Sequence, residues 1–240
     1  MKKTLMTLIL IVLSAALLTA DIYIKQKTHS DAIEMMGQSQ PARDDLNEIW
    51  IGKKKMAMHG PAGSYIINLE SNVMLMINHD KKSYIQMELP LEIDKYMPAQ
   101  FLQMMGDVKL SITPTGETVT IGEWKCSVYE MEMSMMMFSI KGKIYAAKNV
   151  PFDWKKFQDE MYAEFTKATM MLGNDAVHEF QKIDGFQIKT ETSVNMMNTE
   201  MKSYQEVIEI SKKDAPAGTY DTPAGYTKKD KLSPEDIIRR

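Results

Sequence analysis

Apolar and polar residues alternate along most of this chain, in short runs separated by turn-forming residues. A period of two places apolar side chains on one face of a strand. Residues 21–30 read as such a strand, with Ile22 and Ile24 set against Tyr23, Lys25 and Lys27. The interval 32–45 carries Met35, Met36, Gly37 and Pro41 and reads as a loop. Strands are expected over 48–58, 65–69, 73–78 and 83–87. Turns at Gly60-Pro61-Ala62-Gly63, Glu70-Ser71-Asn72 and Asp80-Lys81-Lys82 separate them. That spacing predicts an antiparallel meander. Strands follow over 108–113, 117–121, 124–133 and 138–147, and 186–194 with 202–211 form a closing hairpin.

Two helical patterns interrupt the strands. One covers about 98–105, with Pro98 in its first turn and Gly106 past its end. The other starts after Asp153, a residue type suited to capping a helix N-terminus. Trp154, Phe157, Met161, Phe165 and Ala168 recur there at helical spacing, and Gly173 closes the run. Such a stripe is expected to pack on the sheet. The fold class is therefore mainly β with an α+β arrangement.

The first 20 residues follow a different rule. Met1-Lys2-Lys3 is basic, residues 4–20 are uncharged and mostly apolar, and Thr19-Ala20 precedes Asp21. A basic head, a short apolar run and small residues at the cut describe a secretory signal, and the competing reading is an uncleaved anchor. The expected organisation is a signal peptide over 1–20, one domain over 21–226 and a flexible tail over 227–240. The only cysteine, Cys126, lies too deep in the chain to carry a lipid at the cut. Cleavage would leave a periplasmic or secreted protein without a membrane span.

Charge narrows the partners. Net charge is -3, with acidic and basic residues interspersed, so nucleic acid has no electrostatic footprint to meet. Methionine is in excess, 23 in 240 residues. Its flexible, polarizable side chain suits irregular cores and surfaces that repack around varied ligands. Met56 with Met58, Met74 with Met76, and Met131 with Met133 are spaced to share strand faces. These six residues are the candidate ligand-binding set, lining either a soft core or an apolar cavity. Near Tyr129 the alternation changes face, which a bulge or a strong twist would explain. Met135-Met136-Met137 is assigned to the next turn and strand start.

Catalytic chemistry has no comparable signal. His29, His59, His79 and His178 are far apart in sequence and are expected to be solvated, without the clustering of a metal site. Cys126 reads as a small buried side chain, and Glu160 with Glu164 as a solvated helix pair. No G-x-S-x-G elbow, phosphate-binding glycine loop or H-E-x-x-H run is present. No enzyme, catalytic residue, metal or cofactor is expected.

The stretch Ile121-Gly122-Glu123-Trp124-Lys125-Cys126 is similar to a motif of a known family. So are Tyr65-Ile66-Ile67-Asn68-Leu69, Lys81-Lys82-Ser83-Tyr84, Tyr145-Ala146-Ala147-Lys148-Asn149-Val150-Pro151 and Pro223-Ala224-Gly225-Tyr226. On these residues the chain is identified as a member of the bacterial secreted domains of unknown function numbered 4412. Trp124 stands where that motif has Tyr, Tyr145 where it has Trp, and Glu123 where it has Gly. The resemblance implies an architecture like that of the lipoprotein carriers LolA and LolB. That is a curved antiparallel half-barrel with two or more helices on its concave face, over an apolar cavity. It implies no catalytic residues.

The function expected from these readings is an exported, non-enzymatic protein that binds a lipid, a lipoprotein acyl chain or another apolar ligand. Two alternatives stand beside it. One is a structural envelope protein that binds a protein partner, and the other a methionine-rich Cu(I) binder, since thioethers are soft ligands.

Overall fold

The computed structural model describes residues 20–233, apart from 36–37, 101–102, 104–107, 136–137, 171, 173 and 197–198. The signal segment, most of the expected helix over 98–105, and Met136 and Met137 therefore lie outside the described residues. In chain order the strands begin with β1 (Asp21–Ser30), β2 (Ile33–Met35), β3 (Gln38–Gln40), β4 (Arg43–Ile51) and β5 (Lys55–His59). They continue with β6 (Gly63–Asn68), β7 (Val73–Asn78), β8 (Ser83–Glu88), β9 (Lys109–Ile121) and β10 (Trp124–Met135). The last are β11 (Phe138–Ala147), β12 (Phe186–Met196), β13 (Thr199–Lys213) and β14 (Thr227–Lys229). All but β2 and β3 join one open sheet in the order β14-β8-β7-β6-β5-β4-β1-β13-β12-β11-β10-β9.

Two meanders thus meet in the middle, where β1 pairs antiparallel with β13. The closing hairpin β12–β13 is a central element, not an edge. Turn chemistry sets the register of the first meander. The Asn68 Oδ1 accepts from the amides of Glu70 and Ser71, and the Asn78 Oδ1 from that of Lys81, the side-chain-to-backbone turn that Asn favours.

Several elements differ from the sequence expectation. The interval read as a loop holds the β2–β3 hairpin, and β4 already starts at Arg43. The run 48–58 is two strands, because Gly52 and Lys55 close a turn with a 2.8 Å backbone bond. Segments 108–113 and 117–121 are one strand, β9, whose pairing with β10 shifts register between Ser127 and Tyr129. Val128 and Tyr129 are consecutive and both buried, so the bulge expected there is present. Gly122 takes φ +56 at the β9–β10 turn, which supplies the left-handed residue one position before Glu123.

Of the expected flexible tail over 227–240, residues 227–233 are described and are held against the sheet. β14 pairs in parallel with β8, the Thr227 amide donates to the Lys82 carbonyl, and Leu232 is buried in the main core. An apolar side chain and an unpaired sheet edge together fix this segment.

One long helix crosses the sheet. Residues Trp154–Phe157 and Ala163–Met170 are α-helical and are joined without a break by a π-helical turn, Gln158–Tyr162. Asp153 caps it, its carboxylate accepting from the Lys156 amide at 3.0 Å. Phe157, Met161 and Ala168 of the apolar stripe are buried. The helix stops at Met170, and a second, short helix, Asn174–Phe180, follows where none is expected. Among the described residues, the expectation of two or more helices on the sheet is met by one long helix and one short one.

The long helix touches distant strands. Phe157 meets Phe186 of β12 at 6.1 Å between ring centroids, and Phe165 meets Tyr65 of β6 at 6.3 Å. Five strand spacings, about 24 Å in a flat sheet, separate those strands, whereas eight helical residues rise only about 12 Å. The sheet curls around the helix accordingly. Among the described residues no helix is long and apolar enough to cross a membrane.

Candidate apolar binding site

Between the inner face of the sheet and the long helix lies a cavity of about 310 Å³. Strands contribute Ile49, Ile51, Met56, Met58, Met131, Ile144 and Phe186 to its wall. The helical region contributes Trp154, Phe157, Phe165, Met170, Phe180 and Ile183. Ring packing stiffens one side: Phe152 and Phe186 lie 5.1 Å apart, and Tyr162 and Phe180 6.3 Å. Edge-on aromatic contacts of this kind hold a wall in place beyond what area burial gives.

Amides and hydroxyls make up the polar part of the lining. Gln158, in the π-helical turn, donates to the Ile183 carbonyl at 3.0 Å and more weakly to that of Phe180, tying the long helix to the chain after the short one. Gln187 donates to the Tyr162 hydroxyl. Burial pushes the Tyr162 phenol up to about 12, so it stays protonated. Gly185, at the start of β12, has φ +149, and a Cβ there would come within 3.0 Å of the Ala147 carbonyl. Only glycine lets the chain enter β12 along this wall.

The six methionines divide. Met56, Met58 and Met131 line the cavity. Met74 and Met76 lie instead in the main core with Met87, Leu91, Met97 and Leu232. Met133 packs in a second core cluster with Ile112 and Ile144. The shared strand faces explain the spacing, but the helix covers only the middle strands, so β7 faces packed side chains and not open space. The aromatic residues of the wall carry no strand-period signal in the sequence. The helical stripe is the signal that reaches Trp154, Phe157 and Phe165.

Cys126 is fully buried, and burial pushes its thiol up to about 11, well above a reactive range. Among the described residues no group of three or more His, Cys, Asp and Glu side chains is placed to hold a metal ion.

The histidines expected in solvent are mostly engaged. Ser64, buried at 1% exposure, lies 2.9 Å from His59 Nδ1 and 2.8 Å from His79 Nε2. His59 Nε2 reaches the Thr219 carbonyl at 3.0 Å, and His79 Nδ1 the Tyr226 hydroxyl at 3.0 Å. Pairing of β5 with β6 sets His59 opposite Ser64, and β7 ends one residue before His79. This cluster pins the C-terminal segment to the first meander. His29 bonds the carboxylates of Asp44 and Asp31, which raise its pKa, the Asp44 bond being the larger cause. His178 alone is exposed.

Glu164 is likewise not a solvated helix carboxylate. It accepts from the Leu91 amide at 2.6 Å and from Lys167 Nζ at 2.9 Å, and Lys167 is itself buried.

Residues 22–226 match the family model described as Domain of unknown function (DUF4412). The chain belongs to the DUF4412 family. No curated protein matches this DUF4412 chain. Solved structures similar to it include a LolA superfamily protein from Nitrosomonas europaea, at 7% identity and a TM-score of 0.30, covering 85% of this chain and 90% of that one. A DUF1329 family protein from Desulfovibrio piger is similar at 7% identity and a TM-score of 0.31, with 88% and 92% covered. A putative outer membrane lipoprotein-sorting protein domain from Vibrio parahaemolyticus is similar at 7% identity and a TM-score of 0.30, with 92% and 90% covered.

Proposed function

We propose that this protein is an exported, non-enzymatic envelope protein that holds a lipid or similar apolar ligand between its sheet and long helix. The cavity carries this reading. Its volume, about 310 Å³, lies at the lower end of small-molecule sites, about 300–1,000 Å³. Aromatic rings, thioethers and isoleucines form most of its wall, and Met56, Met58 and Met131 can adjust to ligands of varied shape. The signal-like N-terminus supports export to the periplasm or beyond.

The test is a titration of the mature protein with N-phenyl-naphthylamine, an uncharged dye that brightens in apolar surroundings. Saturable binding is expected. Met58→Trp, which places a larger ring in the cavity from a half-buried position, is expected to weaken it about tenfold, or about 1.4 kcal/mol. An unchanged affinity in a Met58→Trp protein that melts like the parent would remove the cavity from the binding site.

A further inference from the structure

Among the polar side chains of the cavity wall, Thr169 donates to the Phe165 carbonyl and Thr192 bonds Ser203. Gln158 and Gln187 are committed to the Ile183 carbonyl and the Tyr162 hydroxyl. Gln26 and Gln205 also line the cavity, and neither side chain has a partner among the described residues. They occupy adjacent central strands: β1 pairs with β13 so that Gln26 faces Val207 and Thr28 faces Gln205. Gln26 and Gln205 are therefore diagonal neighbours on one face, close enough for two long side chains to meet one group. Gln205 is exposed and Gln26 half-buried, so the pair sits where the cavity opens.

An amide both donates and accepts, whereas an ionised carboxylate or phosphate brought to such a wall needs a countercharge. Among the described residues of the lining there is no Asp, Glu, Lys, Arg or His. Removing an isolated charge from water without a partner costs far more than removing a carbonyl that gains a hydrogen bond. The apolar wall beyond, with Phe157, Phe165 and Phe186, suits a hydrocarbon chain.

We infer that Gln26 and Gln205 form a polar grip that selects acyl chains carried on an uncharged ester or amide over the corresponding free fatty acids. The ester or amide carbonyl accepts from the two side-chain amides at the mouth, and the chain runs inward along the aromatic wall. This rests on the apolar-ligand reading of the same cavity and specifies its ligand class.

Competition for the bound dye tests it. Monooctanoyl glycerol and octanoate share one acyl chain and differ in the ester against the ionised carboxylate. At mildly alkaline pH the ester is expected to displace the dye from the mature protein at a concentration about tenfold lower. In the Gln26→Leu/Gln205→Leu variant the ester is expected to need about tenfold more to displace the dye. Equal displacement by the two lipids in the parent, or an ester potency that the double substitution leaves unchanged, overturns the grip and leaves the cavity reading standing. No dye binding, or bound dye that neither lipid displaces, overturns the cavity reading itself and the grip with it.

Discussion

Replacing Glu164 with alanine is expected to lower stability by about 3–5 kcal/mol, the cost of leaving one member of a buried ion pair without its partner. Its side chain and that of Lys167 are 15% and 10% exposed, so water replaces little of the lost contact. Glu164 also accepts from the Leu91 amide, and that donor is orphaned by the same change. The node ties the long helix to the segment leading from β8, which carries the core residues Leu91, Ile93 and Met97. Buried pairs exchanged whole for apolar residues are often neutral in stability. Glu164→Leu with Lys167→Met should therefore recover most of the loss, short of the Leu91 hydrogen bond. Urea unfolding of the single and double variants measures both. A single-variant loss below about 1 kcal/mol, the size of a solvated pair, would show that the node opens to water.

Acidification is the second large effect, and it is local. His59 Nε2 faces a carbonyl, that of Thr219, so that nitrogen carries hydrogen. The remaining bonds then follow in one direction: Ser64 donates to His59 Nδ1, His79 Nε2 donates to Ser64, and Tyr226 donates to His79 Nδ1. All four bonds are satisfied with both imidazoles neutral. Burial, assisted by His59 and opposed by Asp80, holds the His79 pKa below the usual histidine value. A histidine depressed in the fold binds its proton more readily when released. Its contribution is therefore complete above the unfolded value of about 6.5 and is lost as pH falls through the folded one. A proton on His79 Nδ1 opposes the Tyr226 hydroxyl hydrogen and loosens the C-terminal segment.

Hydrogen exchange over 219–229 is expected to accelerate as pH drops below about 6.5, once corrected for intrinsic rates, with the Thr227 amide as reporter. Ser64→Ala orphans a nitrogen on each imidazole, at about 1–3 kcal/mol per buried group, and should open the segment already at neutral pH. Global melting is a poorer reporter. The raised pKa of His29 works in the opposite sense, stabilising below its unfolded value and fading as pH rises through its folded one. Protection that is equal at neutral and acidic pH would refute the clasp.

These two nodes show where sequence reasoning stops. Strand alternation is a local signal, and it places β1, β7 and β11 over their full spans. It fails where a turn carries a single glycine among lysines, as at Gly52-Lys53-Lys54-Lys55, and where short strands fall in a segment rich in turn formers, as with Ile33–Met35 and Gln38–Gln40. Central pairing of β1 with β13 joins residues almost a chain length apart, and no periodicity encodes that. The same holds for His59, Ser64 and His79. Each reads as an isolated residue at a strand end, and only the hairpin register sets them side by side. The resemblance carried by Trp124-Lys125-Cys126 and Pro223-Ala224-Gly225-Tyr226 reached the family where spacing alone reached only a fold class.

The candidate site was half legible for a similar reason. Two-residue spacing identified which methionines share a face, but not which part of that face the helix would leave open. Met56, Met58 and Met131 lie under the helix at the cavity, while Met74, Met76 and Met133 meet packed core. The glutamines of the mouth, Gln26 and Gln205, lie on strands where a polar residue reads as solvent-facing.

Native mass spectrometry of the protein, purified from its expression host without detergent, tests the central claim most directly. The account predicts an adduct of lipid-like mass, lost in the Met58→Trp variant. A bare mass that persists after incubation with envelope lipids would contradict it.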